Sequence, residues 1–232
     1  MDKLPAKPRR QTDPPATASQ LFAATCQIRR STMTKYLVVR SAATGAASVS
    51  NQLIDTYLAE LGEDAVVVER NLDTDPVPHI NSGSLVGIGR AAPVGDKMTD
   101  ASLEARELQD ALIAEVMDAD VLVIGLPIYN FGLPSTLKAW FDYVLRAGTT
   151  FQYTEQGPEG LVKNTKAIVA QSRAGKYDDD AGVIFGMPHL KGLLGFMGVT
   201  DVEVVTAEGM AFGPEAAASA IADAKAAIAK LA

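Results

Sequence analysis

Apolar residues in this chain fall into short blocks separated by longer segments with a helical repeat. "KYLVVR" (35–40), "AVVVER" (65–70), "VLVIGL" (121–126), "KAIVAQS" (166–172) and "VEVVTAEG" (202–209) are short and rich in β-branched residues. That pattern predicts five buried strands. Between them apolar positions recur every three or four residues, which predicts helices. One begins near Ser50, with Val49, Leu53, Tyr57 and Leu61 along one face. Others are expected at 99–118, 134–147, about 188–197 and 215–231, the last with Ile221, Ala224, Ile228 and Leu231 on one stripe. Residues 71 to about 97 show neither period and are expected to form a long surface loop, which at that length more often serves as a functional lid than as idle chain.

Strands separated by helices imply βαβ units and a parallel sheet covered on both faces. Five strands suit an α/β, flavodoxin-like, doubly wound five-stranded parallel sheet in the order 2-1-3-4-5. Ligands of such sheets bind beyond the strand carboxyl ends, at the switch point between strands one and three. The loops after Arg40 and Ile124 therefore matter most, with the loop after strand four beside them.

The first loop, "SAATGAASVSN" (41–51), is small, hydroxyl-bearing and opens a helix. It reads either as a phosphate site on a helix N-terminus or as an ordinary Ser cap in a tight turn. It has no Walker lysine, which disfavours nucleotide triphosphate hydrolysis. The second, "GLPIYNFGLP" (125–134), sets Tyr129, Asn130 and Phe131 between Pro127 and Pro134, with Gly132 expected to carry the unusual dihedrals. Rigid amides beside aromatic planes suit a planar heterocycle with polar edges; aromatics buried in a strand-to-helix connection are the alternative. The third, "SRAGKY" (172–177), is again small and glycine-bearing. "GIGRAA" (87–92) satisfies G-x-G-x-x-A, but no buried strand precedes it and Pro93 follows, so it is not read as a dinucleotide turn. Arg90 within it is read as a solvated arginine, with an anionic ligand as the alternative.

Charge separates the chain into two parts. Residues 1–32 carry six Lys/Arg and two Asp/Glu, whereas the remaining 200 carry 15 and 26. A body that acidic is a poor nucleic-acid binder. The first 32 residues hold four of the twelve prolines and are expected to be a disordered extension, either a misassigned start before Met33 or a basic targeting peptide. Residues 33–232 are the expected α/β domain. No run reaches the ~18 apolar residues of a membrane span. One cysteine, Cys26, and two histidines, His79 and His189, leave no intramolecular disulfide and make a cysteine- or histidine-built metal site unlikely. A reducing cytoplasm is the simplest home.

"PIYNFGLPSTLKAWFDYVLRAGTTFQYTEQGPEGLVKNTKAIVAQSRAGKY" (127–177) closely resembles the FMN-dependent azoreductases, also described as FMN-dependent NADH:quinone oxidoreductases. "SVSNQL" and "GFMGVTDVE" support the likeness, which runs from about Thr34 to the C-terminus. The resemblance implies that Ser48, Val49 and Ser50 hold the FMN phosphate end, and that Ile128, Tyr129, Asn130 and Phe131 line the isoalloxazine. Ser172, Arg173, Ala174 and Gly175 would border the ring's other side. Phe131, Tyr153 and Phe196 match the substrate pocket, although Tyr153 and Phe196 read equally well as core. The chain departs from the family at Ala42, where a Ser is common and Ser41 is expected to point elsewhere, and at Ala174-Gly175, where Gly-Gly is common. The resemblance further implies a homodimer with its active site near the subunit boundary. It implies a ping-pong cycle in which NADH delivers a hydride to bound FMN and leaves, and a quinone or an azo compound then collects the electrons. No catalytic side chain and no metal are expected. An electron-carrying flavodoxin is the rival, but "AATGAA" (42–47) lacks the flanking hydroxyls of that group; a non-catalytic flavin sensor is the other alternative.

Overall fold

Strand β1 (Lys35–Arg40) forms where Leu37, Val38 and Val39 follow one another without a polar residue, and all three are buried. Successive side chains point to opposite faces, so Leu37 and Val39 join one apolar cluster and Val38 the other. Helix α1 (Val49–Ala59), strand β2 (Val66–Asn71), the one-turn helix α2 (Ser84–Gly87) and helix α3 (Asp100–Asp118) follow. Then come β3 (Val121–Pro127), α4 (Ser135–Val144), β4 (Phe151–Thr154), β5 (Gly157–Gly160) and β6 (Lys166–Arg173). Helix α5 (Gly186–Met197), β7 (Val202–Glu208) and α6 (Pro214–Ile228) close the chain. The computed structural model describes residues 33–92, 98–177 and 184–232; the expected extension at 1–32 and part of loop 71–97 lie outside them.

Among the described residues five parallel strands run in the order β2-β1-β3-β6-β7. This is the expected order 2-1-3-4-5 once the separate hairpin β4-β5 is set aside. Every residue of β3 is buried, as the continuous apolar run requires of a central strand. One cluster joins the sheet to α3, α4 and α5 around Leu112, Trp140, Phe141 and Leu190; the other joins it to α1 and α6 through Leu53, Tyr57 and Ile228.

Three sequence expectations need correction. The β4-β5 hairpin stands where no strand is expected, because β4 and β5 are four residues each and "TEQG" carries no strong strand period. Helix α4 stops at Val144 rather than 147: Thr150 Oγ1 donates to the Val144 carbonyl (2.8 Å) and accepts the Arg146 N–H (2.9 Å). That side chain substitutes for the next helical turn. The segment after Asn71 is not a simple surface loop, because Leu72, Val77 and Ile88 are buried. α2 lies against α3, where Ser102 Oγ donates to the Gly83 carbonyl (2.7 Å) and Arg106 to that of Gly87. Gly87 has no room for a side chain against the Ser102 backbone, so the glycine of "GIGRAA" serves helix packing.

Candidate active site

The loop after β1 is tied to β3 by Ser41, whose buried hydroxyl donates to the Gly125 carbonyl at 2.6 Å. A 3-10 turn at Gly45–Ala47 leads to Ser48, the N-cap of α1, whose Oγ accepts the Asn51 N–H (3.3 Å). The Ser48 and Ser50 hydroxyls lie 2.9 Å apart and are buried. Asn51 Nδ2 donates to the Gly45 carbonyl (3.0 Å), fixing the turn, while its buried Oδ1 has no partner among the described residues. Gly125 lets α1 approach the sheet, since a Cβ there would come within 3.0 Å of Ile54 Cδ1. The Ser cap is present: Ser48 satisfies the Asn51 N–H, which leaves the first-turn N–H groups of Val49 and Ser50 without an intrahelical acceptor.

In the second loop Tyr129 and Gly132 exchange backbone hydrogen bonds (3.3 and 3.0 Å), with Asn130 and Phe131 at the tip. The positive φ angles belong to Asn130 (46°) and Phe131 (71°), and not to Gly132 as the sequence suggested. A bulky residue in that region is disfavoured and needs support from its surroundings. Support comes from α5: the Phe131 carbonyl accepts N–H bonds from Phe185 (2.8 Å) and Gly186 (3.0 Å). The Tyr129 hydroxyl accepts the Ala43 N–H (3.1 Å), linking the second loop to the first. Tyr129 and Phe131 are 38% and 48% exposed, which rules out the reading of both as core residues. Ile128 is half-buried and its N–H bonds the Ser172 carbonyl (2.8 Å), joining the second loop to the third.

Arg173, expected at the ring, directs its buried guanidinium to Glu208 (2.7 Å) and to the Tyr177 carbonyl (2.9 Å). The carbonyls of Ala174 and Gly175 accept N–H bonds from Ala211 (2.9 Å) and Gly209 (3.2 Å). The N–H groups of Ala174 and Gly175, like those of Asn130 and Phe131, have no acceptor among the described residues. Three loops at one sheet edge thus present unpaired backbone donors beside two exposed aromatic rings. That donor set fits a flat, polar-edged, anionic cofactor such as FMN.

Tyr153 and Phe196 meet elsewhere in the chain. They line a cavity of about 820 Å³ with Phe151, whose ring centroid lies 4.4 Å from that of Phe196 and 5.5 Å from that of Tyr153. Phe131 is not part of that lining. Tyr153 is 73% exposed, so it is not a core residue. Phe151 was missed, although its place in "FQYT" two residues before Tyr153 puts both on one face of β4. Arg90 also lines this cavity, where it donates to the Asp142 carbonyl at 3.1 Å. The described residues contain no group of three or more His, Cys, Asp or Glu able to hold a metal, and no helix among them is long and apolar enough to cross a membrane.

Known proteins are similar to this chain in sequence and fold. The flavodoxin-like fold family matches residues 34–232. A curated FMN-dependent NADH:quinone oxidoreductase of Hyphomonas neptunium is 45% identical over 207 residues, covering 86% of this chain and 96% of that protein. One of Yersinia pestis (strain Pestoides F) is 45% identical over 204 residues, covering 86% and 98%. Among solved structures, an azoreductase from Bacillus anthracis str. Sterne aligns with a TM-score of 0.77 at 31% identity, covering 86% of this chain and 98% of that one. An FMN-dependent NADH-azoreductase from Bacillus anthracis str. Ames Ancestor, solved in complex with FMN, aligns with a TM-score of 0.76 at 27% identity, covering 86% and 100%. The chain belongs to the flavodoxin-like family and, within it, to the FMN-dependent NADH:quinone oxidoreductases and azoreductases.

Proposed function

We propose that this chain takes electrons from NADH and delivers them in pairs to quinones and, reductively, to aromatic azo bonds. Donor and acceptor use one site in turn, in a ping-pong cycle on a doubly wound scaffold. The observation that carries this reading is the frame of unpaired N–H donors around exposed Tyr129 and Phe131, in a chain 45% identical to FMN-dependent NADH:quinone oxidoreductases.

The Val49 and Ser50 N–H groups, with the Ser48 hydroxyl, hold the phosphate end. Ile128, Tyr129, Asn130 and Phe131 line one side of the ring; Ser172, Arg173, Ala174 and Gly175 border the other, Arg173 through its backbone. Bound FMN supplies the hydride chemistry, so no side-chain acid or base is assigned. With FMN bound, the N–H groups of Asn130, Phe131, Ala174 and Gly175 would donate to the polar atoms of the ring and favour its electron-rich reduced form. Phe131, Tyr153 and Phe196 form the acceptor pocket in a homodimer. Phe131 stands outside the cavity that Tyr153 and Phe196 line within one chain, so this pocket requires a second copy to bring them together. A cytoplasmic home agrees with the single cysteine.

The test is a visible spectrum of FMN-loaded protein, followed anaerobically. The expected result is a flavin band that NADH bleaches and a quinone restores over many turnovers. Protein that stays colourless after incubation with FMN overturns the cofactor assignment. A flavin that NADH does not reduce leaves only a carrier or a sensor.

A further inference from the structure

The third loop carries a further aromatic ring, Tyr177. Tyr177 folds back over its own loop: a Cβ on Gly175 would lie 2.6 Å from the Tyr177 ring carbons and hydroxyl. The ring therefore rests directly on the Gly175 backbone. Across the opening it meets Phe131 edge-on, with centroids 6.4 Å apart and planes at 82°. Tyr177 and Phe131 thus span the gap between the two loops whose unpaired N–H groups frame the ring site.

A side chain carried on a loop does not hold such a position unaided. Arg173 supplies the restraint, its guanidinium donating to the Tyr177 carbonyl (2.9 Å) and lying 6.0 Å from the ring centroid, within range of a cation–π contact. Glu208 at the end of β7 fixes that guanidinium through Nε (3.0 Å) and Nη2 (2.7 Å). The chain from Glu208 to Arg173 to Tyr177 thus ends on a ring that is 36% exposed. It also accounts for the Ala174-Gly175 pair. A Cβ at position 175 would push the Tyr177 ring off its loop, whereas Ala174 is exposed.

We propose that Tyr177 is a positioning residue that latches the flavin ring in its site, held in place by Arg173 and Glu208. This rests on the FMN reading above. A latch slows departure of the cofactor more than its arrival, so the quantity to measure is the FMN release rate.

Apoprotein is loaded with FMN, then diluted, and the growth of free-flavin fluorescence is followed. Tyr177→Ala is expected to release FMN at least tenfold faster than wild type, with the association rate changed less than threefold. Tyr177→Phe keeps the ring and should stay within twofold of wild type. Glu208→Gln loosens the restraint and should speed release severalfold. The Tm of the Tyr177→Ala and Tyr177→Phe apoproteins should stay close to wild type, which a merely structural role of Tyr177 does not predict. Equal release rates for wild type and Tyr177→Ala overturn the latch alone, as does faster release that Tyr177→Phe fails to rescue. A wild-type protein that binds no FMN overturns the cofactor reading and the latch together.

Discussion

Phe131 holds a backbone angle that its side chain disfavours, and the strain is offset by two N–H donors from the start of α5. Strained residues of this kind persist where their surroundings over-determine them, often at ligand clamps. Beside it, the Tyr129 hydroxyl is the acceptor that pins Ala43 of the first loop. A net hydrogen bond of about 1 kcal/mol implies that Tyr129→Phe weakens FMN binding roughly fivefold. Titration of apoprotein with FMN measures this, and unchanged affinity would remove Tyr129 from the cradle. Tyr57 gives a test that needs no cofactor. Burial, and then the neighbouring Tyr36, push its pKa from 10.0 up to about 12. Because the folded value is raised, its stabilising contribution is complete below pH 10 and is lost as the pH climbs towards 12. Absorbance titration of the phenolates should show one tyrosine ionising late, and Tyr57→Phe should abolish that step.

At the scale of elements, glycines of opposite consequence bear on α5. Gly160 of the hairpin lies so close to Gly198, at the C-cap of α5, that a side chain would overlap the Gly198 backbone. Gly160→Ala is therefore expected to destabilise the protein by about 1–3 kcal/mol, as overpacking does. Gly195, on the exposed side of the same helix, has open space where a Cβ would go. Gly195→Ala is expected to stabilise the monomer by about 0.5–1 kcal/mol through helix propensity. Urea unfolding of both variants checks the signs. A loss of stability in Gly195→Ala that grows with protein concentration would place a second copy against this face.

Across the whole molecule, the three loops meet only because β1, β3 and β6 are neighbours in the sheet. Ligand binding there should stabilise the assembled domain rather than one loop. FMN at about a hundred times its Kd contributes roughly 2.7 kcal/mol. For a protein of this size that corresponds to a Tm rise of about 5–10 °C, readable by thermal scan with and without FMN. A Tm indifferent to FMN would argue against a site built from all three loops.

The sheet strands, their order and the three site loops were legible in the sequence. Buried strands announce themselves as continuous β-branched runs, and a parallel order fixes which loops share an edge. The resemblance of residues 127–177 then named the chemistry those loops suit. Other features follow from contacts between distant segments, which no local pattern encodes. The hairpin is too short to show a period, and α4 ends where Thr150, six residues beyond Val144, captures a carbonyl. The positive φ of Phe131 depends on N–H donors at residues 185 and 186, and the Arg173 guanidinium is drawn from the ring site by Glu208, 35 residues away. Sequence alone therefore determined the scaffold and which three loops share one sheet edge, because hydrophobic periodicity is local. Tertiary structure decided which groups remain free to bind, because a donor is free only when no distant acceptor has reached it.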